Sequence, residues 1–157
     1  MTDTVSFEQV APDFTERVGR IVWCTAATVD PRGRPRTRIL HPIWEGTTGW
    51  IGTGRHSPKE AHLAGNPHMS LTYWDPRHEQ IYVECVAAWE DDPSERRRIW
   101  ELFRATPPPL GYDPAMIWTG GPNDPTFGVL KLTPWRIELS EMGPAGFSRR
   151  VWRPAPA

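Results

Sequence analysis

The stretch Gly49-Trp-Ile-Gly-Thr-Gly-Arg-His-Ser-Pro-Lys-Glu-Ala-His-Leu-Ala-Gly-Asn-Pro67 decides how the chain is read. Trp50–Thr53 is extended and apolar, a strand that runs into a Gly/Arg/His loop. A short helix over Ser57–Gly65 follows, with Ser57 as N-cap, Pro58 in the first helical position and Glu60 completing a capping box. Asn66-Pro67 ends it. Lys59 sits inside the first turn, where the helix macrodipole is already positive. Only two of the 18 Lys and Arg residues are lysines, so its place there asks for a negative partner. Free backbone N–H groups at a helix N-terminus bind phosphate readily. The Ser57 hydroxyl, the Lys59 ammonium and Thr53 on the preceding strand would add to that grip. Taken alone, the pattern also suits an ordinary capped helix.

Arg36 and Arg38, two apart on an extended segment, point to one face. If that segment pairs with Trp50–Thr53, one guanidinium reaches the same anion and binds it bidentately.

Outward from this centre the sequence reads as strands joined by tight turns. Residues 7–17 form an entry helix interrupted at Pro12, and Arg20–Val29 is a strand ending in the turn Asp30-Pro-Arg-Gly33. Arg36–Trp44 is its hairpin partner, with Pro42 marking a bulge or an edge. His68–Trp74 and Gln80–Trp89 flank the turn at Asp75-Pro-Arg-His, and a second helix opens at Asp92-Pro-Ser-Glu95. A Pro/Gly-rich loop covers 106–126, with Tyr112, Met116 and Trp118 available to cover a substrate or to pack. Phe127–Leu139 is the last strand, bent at Pro134, and 143–157 is an irregular basic tail. The expectation is one mainly β domain over 1–157, core about 17–139, with six antiparallel strands closing into a small barrel.

Composition narrows the function classes. A net charge of −1 and a pI near 6.5 supply no basic field for nucleic acid. Nine tryptophans favour pleated, half-buried surfaces. Cys24 and Cys85 stand apart in apolar runs, outside any metal-ligand spacing, and read as buried thiols. No export signal or membrane-length apolar run is visible, so a cytoplasmic protein without a membrane partner is expected.

The order of the parts is similar to the pyridoxamine 5′-phosphate oxidase-like family of FMN-binding split β-barrels: an Arg-bearing strand, a turn, Gly-Trp-Ile-Gly-Thr-x-x-x-Ser-x-Lys, a short helix, Asn-Pro, and a strand ending in Tyr-Trp. The resemblance spans about 17–139 and is most specific between 36 and 89. It implies FMN phosphate held by Thr53, Ser57 and Lys59 with Arg36 or Arg38, and a flavin ring lying along Ile39, Leu40 and His41. It places Gln80 against the ring's polar edge, and the cofactor at the interface of a homodimer.

Departures from the family oxidase set this chain apart from true pyridoxamine phosphate oxidation. Pro58 replaces a second basic residue, Ser140 stands where a tryptophan is expected, and Arg149-Arg-Val-Trp-Arg153 does not reproduce the substrate signature Arg-Leu-His-Asp-Arg. The function expected is an FMN-dependent oxidoreductase acting on a small molecule. The alternatives are a reductase using the deazaflavin coenzyme F420, with Arg55 or Arg149 receiving its anionic tail, or a non-enzymatic flavin- or haem-binding stress protein with His41, His56 or His68 as a ligand. His41 and Tyr73 are candidates to face the site; no catalytic residue is assigned.

Overall fold

Two turns of the same chemistry organise the sheet. After Asp30-Pro31, the aspartate accepts from the backbone N–H of Arg32 and Arg34, both at 2.9 Å, while Gly33 takes φ +77°. After Asp75-Pro76, the aspartate accepts from the N–H of Arg77 and Glu79, and His78 takes φ +60°. Each aspartate replaces the strand's lost partners at the point where the chain reverses.

The computed structural model describes residues 2–156. In chain order the elements are β1 (Thr2–Thr4), α1 (Phe7–Ile21), β2 (Cys24–Val29), β3 (Pro35–Leu40), β4 (Ile43–Glu45), β5 (Thr48–Gly54), α2 (Lys59–Gly65), β6 (His68–Trp74), β7 (Gln80–Trp89), α3 (Pro93–Ala105), β8 (Phe127–Gly143) and β9 (Gly146–Trp152). They form one nine-stranded sheet along β1-β9-β8-β7-β6-β2-β3, with β5 added to β8 and β4 to β5. The pairings are antiparallel except β1 with β9.

The 17-residue β8 carries β7 along one edge. Its other edge is shared: Phe127–Leu132 pairs with β5, and Ile137–Gly143 with β9. Between those partners the register slips, because Cys85 faces Pro134 and Glu84 faces Arg136, which leaves Trp135 as the bulge residue.

Side-chain alternation on β5 and β8 makes a wall between two apolar clusters. Ile51 and Leu130 face the main core with Phe14 of α1 and Leu71, Tyr73, Ile81 and Val83 of β6 and β7. Their neighbours Trp50 and Val129 face a second cluster built on Ile99, Trp100 and Phe103 of α3. α3 is capped by Asp92, which accepts from the N–H of Ser94 and Glu95 at 2.9 and 3.0 Å.

Several expectations are corrected. Nine strands replace six, and the hydrogen-bonded path is open, since β3 pairs only with β2 and β4 only with β5. The entry helix continues through Pro12 to Ile21, and β2 begins at Cys24, after Val22 takes φ +68°. Pro42 does more than bulge a strand; it separates β3 from β4. The tail forms β9, whose Arg150 meets Asp13 and whose Val151 is buried. Cys24 and Cys85 are free and buried. Among the described residues no helix is long and apolar enough to cross a membrane.

The 106–126 segment is stitched down rather than loose. The Tyr112 N–H bonds to the Phe103 carbonyl at 3.0 Å, Trp118 packs edge-on to Phe127, and Arg96 donates to the carbonyls of Asp124 and Phe127. Gly111 is where it folds back on α3: a Cβ there would lie 1.7 Å from the Thr106 carbonyl oxygen. Gly111→Ala is therefore expected to cost about 1–3 kcal/mol, as overpacking does, and to lower Tm by a few degrees. A thermal melt equal to that of the parent protein would contradict this packing.

Candidate cofactor site

The candidate site begins where β5 leaves the sheet. Arg55 turns outward, stacks over Trp89 at 4.6 Å, and donates to Asp91 at 3.0 and 3.1 Å and to Glu60 at 2.6 Å. Glu60 is thereby drawn away from the start of α2. The expected capping box does not form: Ser57 contributes only its carbonyl, accepting from the Glu60 N–H at 2.9 Å. The Ser57 hydroxyl is left buried without a hydrogen-bond partner. An orphaned buried hydroxyl costs about 1–3 kcal/mol, so its retention calls for an acceptor.

Beside it lies Lys59, only 8% exposed. Burial, and then the charge of Arg38, pull its pKa below the ordinary lysine value. Arg38 is itself lowered by burial and by Arg36, and one of its N–H groups reaches the Ala26 carbonyl at 3.3 Å. Among the described residues no carboxylate forms an ion pair with Lys59, Arg36 or Arg38, although the surface is laced with such pairs elsewhere. Buried charge without a partner is expensive. Three cations and a donor hydroxyl gathered this way suit a phosphate monoester.

The route that brings Arg38 here differs from the sequence expectation. The Arg36–Arg38 strand does not pair with β5; β4 does. Arg38 instead sits opposite Ala26 on β2, and α2 docks on β2 through the 2.8 Å hydrogen bond between Thr28 Oγ1 and His62 Nδ1. Thr53 is buried at the end of β5, paired with Gly128.

Beyond Arg38 the chain passes Ile39, 60% exposed, and Leu40, packed on the main core, to His41. The His41 ring is edge-on to Trp23 at 4.5 Å and to Tyr112 at 5.0 Å. It lines a cleft of about 280 Å³ with Trp23, Gly52, Pro109, Tyr112 and Ile117. Its Nε2 is buried and unpartnered, and burial lowers its pKa, offset by the Leu110 backbone.

Sequence reasoning proposed Tyr112 as a cover for the site but passed over Trp23, Gly52, Pro109 and Ile117, which no local motif links. Met116 is 82% exposed and Trp118 is buried in the second cluster, so neither lines the cleft. Tyr73 is also removed from the site: it is fully buried and accepts from Trp44 Nε1 at 3.1 Å.

Gln80 stands apart from this group within one chain. It opens the ten-residue β7, whose other end, Trp89, faces the β8 segment that holds β5. Across the β3-β2-β6-β7 ladders Arg38 is in register with Val83, so Gln80 lies three strands from the Arg38 strand, about 14 Å across the sheet. Gln80 accepts from the Tyr82 hydroxyl at 2.7 Å and pairs with Ser140. Among the described residues no group of three or more His, Cys, Asp or Glu side chains is placed to hold a metal ion.

Comparison with known proteins matches this arrangement to relatives. Residues 12–140 match the family model described as pyridoxamine 5′-phosphate oxidase. The pyridoxine/pyridoxamine 5′-phosphate oxidase of Paraburkholderia xenovorans is 44% identical over 62 residues, 38% of this chain and 29% of that protein. The Bacteroides fragilis enzyme of the same name is 36% identical over 78 residues, 45% of this chain and 33% of that protein. The chain thus spans about a third of the length of the curated relatives it matches.

Among solved structures, a Clostridium acetobutylicum protein related to general stress protein 26 superposes with a TM-score of 0.71 at 14% identity, over 85% of this chain and 89% of its own. An FMN-binding protein of Nostoc punctiforme gives 0.70 at 16%, over 96% and 92%. The same fold occurs in an F420 reductase (0.58, 19%, over 78% and 93%) and in the haem storage protein HutZ of Vibrio cholerae (0.60, 16%, over 83% and 91%). These structures share the fold, and the family-model match across most of its length establishes that the chain belongs to the pyridoxamine 5′-phosphate oxidase family.

Proposed function

We propose that this protein is an FMN-binding oxidoreductase whose cofactor phosphate sits where β5 hands over to α2. The observation that carries the reading is the buried, uncompensated charge of Lys59, with the half-buried Arg38 and the orphaned Ser57 hydroxyl beside it. Lys59 and Arg38 would supply charge, Ser57 and Thr53 hydroxyl donors, and Arg36 a second guanidinium at the solvent side. The backbone of Ile39, Leu40 and His41 would lie against the ring. When bound, the flavin supplies the hydride and electron transfer; the chain's own work is placement, charge and exclusion of water.

Coenzyme F420 is the second reading, supported by the reductase that shares the fold. The arginines that would receive its longer anionic tail are already engaged, Arg55 by Asp91 and Glu60, and Arg149 by Glu138, which favours the shorter FMN. Of the candidate haem ligands, His41 is walled by aromatic rings and His56 faces Glu60, while His68 is exposed beside Trp135 in a separate cleft.

Gln80 stands three strands across the sheet from Arg38, so a second copy is proposed to bring its own Gln80 to the ring. Sedimentation should then give a dimer, and Gln80→Ala should weaken FMN binding without touching the phosphate corner. A monomer that binds FMN with full affinity would exclude this arrangement.

Lys59→Ala removes a charged hydrogen bond of about 1.5–3 kcal/mol, so FMN affinity is expected to fall about 10- to 150-fold in a fluorescence titration. Ser57→Ala should weaken it about tenfold. Unchanged affinity in both variants would put the phosphate elsewhere. The same charge is a burden without its ligand. Because the folded-state pKa of Lys59 lies below the unfolded value, its charged form disfavours the fold at neutral pH. Lys59→Met should raise the Tm of cofactor-free protein by about 2–4 °C, equivalent to about 1 kcal/mol of relief. A lower Tm would mean the ammonium already has an internal partner.

A further inference from the structure

Helix α2 docks by one face, and the three buried residues of that face do different work. Lys59, His62 and Leu63 stand at i, i+3 and i+4, so they lie side by side. Leu63 packs in the main core, a contact without direction. Lys59 is the ammonium of the proposed phosphate corner. His62 meets Thr28 of β2, both buried, in a 2.8 Å hydrogen bond between Nδ1 and Oγ1.

That bond lands on the strand that also carries the arginines. Thr28 pairs with Arg36 and Ala26 with Arg38, and the Ala26 carbonyl accepts from the Arg38 guanidinium. Thr28 and Ala26 are two residues apart on β2, about 7 Å. One strand thus gauges both halves of the corner, Arg38 through a backbone carbonyl and Lys59 through a buried hydroxyl. The other ties on α2 are looser. The Arg55–Glu60 pair reaches the surface, where such pairs contribute little. The flanking backbone bonds, at Arg55 and Pro67, lie outside the helix.

We propose that His62 and Thr28 are positioning residues: their hydrogen bond fixes the roll of α2 on β2 and so holds the Lys59 ammonium beside Arg38 for the phosphate. A buried polar pair gains little stability over two apolar side chains of the same shape. What it adds is direction, which a donor–acceptor contact has and a leucine lacks. His62 lies about 4.5 Å along the helix axis from Lys59, so a small rotation at the imidazole is carried straight to the ammonium. Held this way, Lys59 stays buried; with the bond gone, its long stem lets the charge reach water.

The phosphate as ligand rests on the flavin reading; the placing of Lys59 does not. The first test compares FMN with riboflavin, which has the same ring and no phosphate, in Thr28→Val/His62→Phe. That double variant leaves no orphaned polar atom and should melt within about 2 °C of the parent protein. It should nevertheless bind FMN about fivefold more weakly, the size of one neutral hydrogen bond, with riboflavin affinity unchanged. Thr28→Val alone should weaken FMN equally, and serves if the double variant does not fold. Thr28→Ser keeps the hydroxyl and should bind FMN as the parent does.

The second test needs no flavin. In cofactor-free protein, Lys59→Met should raise Tm in the parent and by at most about half as much where Thr28→Val has released the helix, because the two sites are coupled. The proposal is overturned if Lys59→Met shifts Tm equally in both backgrounds. It is also overturned if FMN and riboflavin weaken together, if the double variant keeps the parent's FMN affinity, or if Thr28→Ser loses as much as Thr28→Val. Failure of the flavin reading would appear separately, as absent FMN binding by the parent, with the melts of cofactor-free protein still decisive.

Discussion

The structure depends on one strand doing three jobs. β8 spans 17 residues, about 55 Å if fully extended, which is long for a strand of a small domain. It pairs with β7 throughout its middle while β5 and β9 divide its opposite edge. The bulge at Trp135, next to a proline that has no N–H to give, falls between the β5 and β9 ladders. Pinning β5 to Phe127–Leu132 fixes where the chain leaves the sheet at Gly54, and therefore where α2 begins. Gly128 tightens that junction. A Cβ there would meet the Trp89 ring at 2.6 Å and the Arg55 Cα at 2.9 Å. Its absence lets Arg55 lie on Trp89, and Arg55 in turn removes Glu60 from the mouth of α2.

What sets this corner apart electrostatically is burial: Arg32, Arg97, Lys131 and Arg153 also lack an ion pair among the described residues but are exposed, whereas Lys59 is buried. Arg20 bonds to Glu16, Asp75 and Glu79, Arg98 to Glu45 and Glu95, and Arg150 to Asp13. Such exposed pairs contribute little stability each, but they neutralise charge locally. Arg36, Arg38 and Lys59 are left out of that neutralisation, and the near-zero net charge of the whole chain conceals them. Folding alone gains nothing from this corner. An isolated buried ammonium next to a guanidinium is tolerated where binding of an anion offsets its desolvation.

Much of the fold was legible because its turns are written in local chemistry. β6 and β7 run between the residues their alternation predicts, and the Asp-Pro turns close as their side chains dictate. What was missed depends on distant partners. The turn signal Gly143-Pro-Ala-Gly146 precedes an alternating Phe147, Arg149, Val151 run, yet nothing local says that Arg150 meets Asp13 or that Val151 is buried. The Ser57/Glu60 capping box fits its sequence pattern perfectly well; it fails because Arg55, held by Asp91, outcompetes a backbone N–H for the carboxylate. Thr53, Ser57, Lys59 and Arg38 were nominated from a helix-start pattern and a family motif, whereas Trp23 and Ile117, some ninety residues apart, carry no signal before the chain is folded.

This difference has a mechanical origin. The proposed phosphate corner is built from a sheet ladder and a docked helix, elements whose backbone bonds leave little latitude. The cleft is closed by the 106–126 segment, which is anchored where the Tyr112 N–H meets the Phe103 carbonyl at the end of α3. Gly52 admits the Tyr112 hydroxyl, which a Cβ would approach to 3.0 Å. Substitutions in that segment can therefore redraw the cleft without moving Lys59 or Ser57. Proteins sharing 14–16% identity with this chain can superpose at TM-scores near 0.7 under such a division of labour. The scaffold fixes the corner proposed for the anion, and a loop tied down at a few backbone points sets what lies beside it.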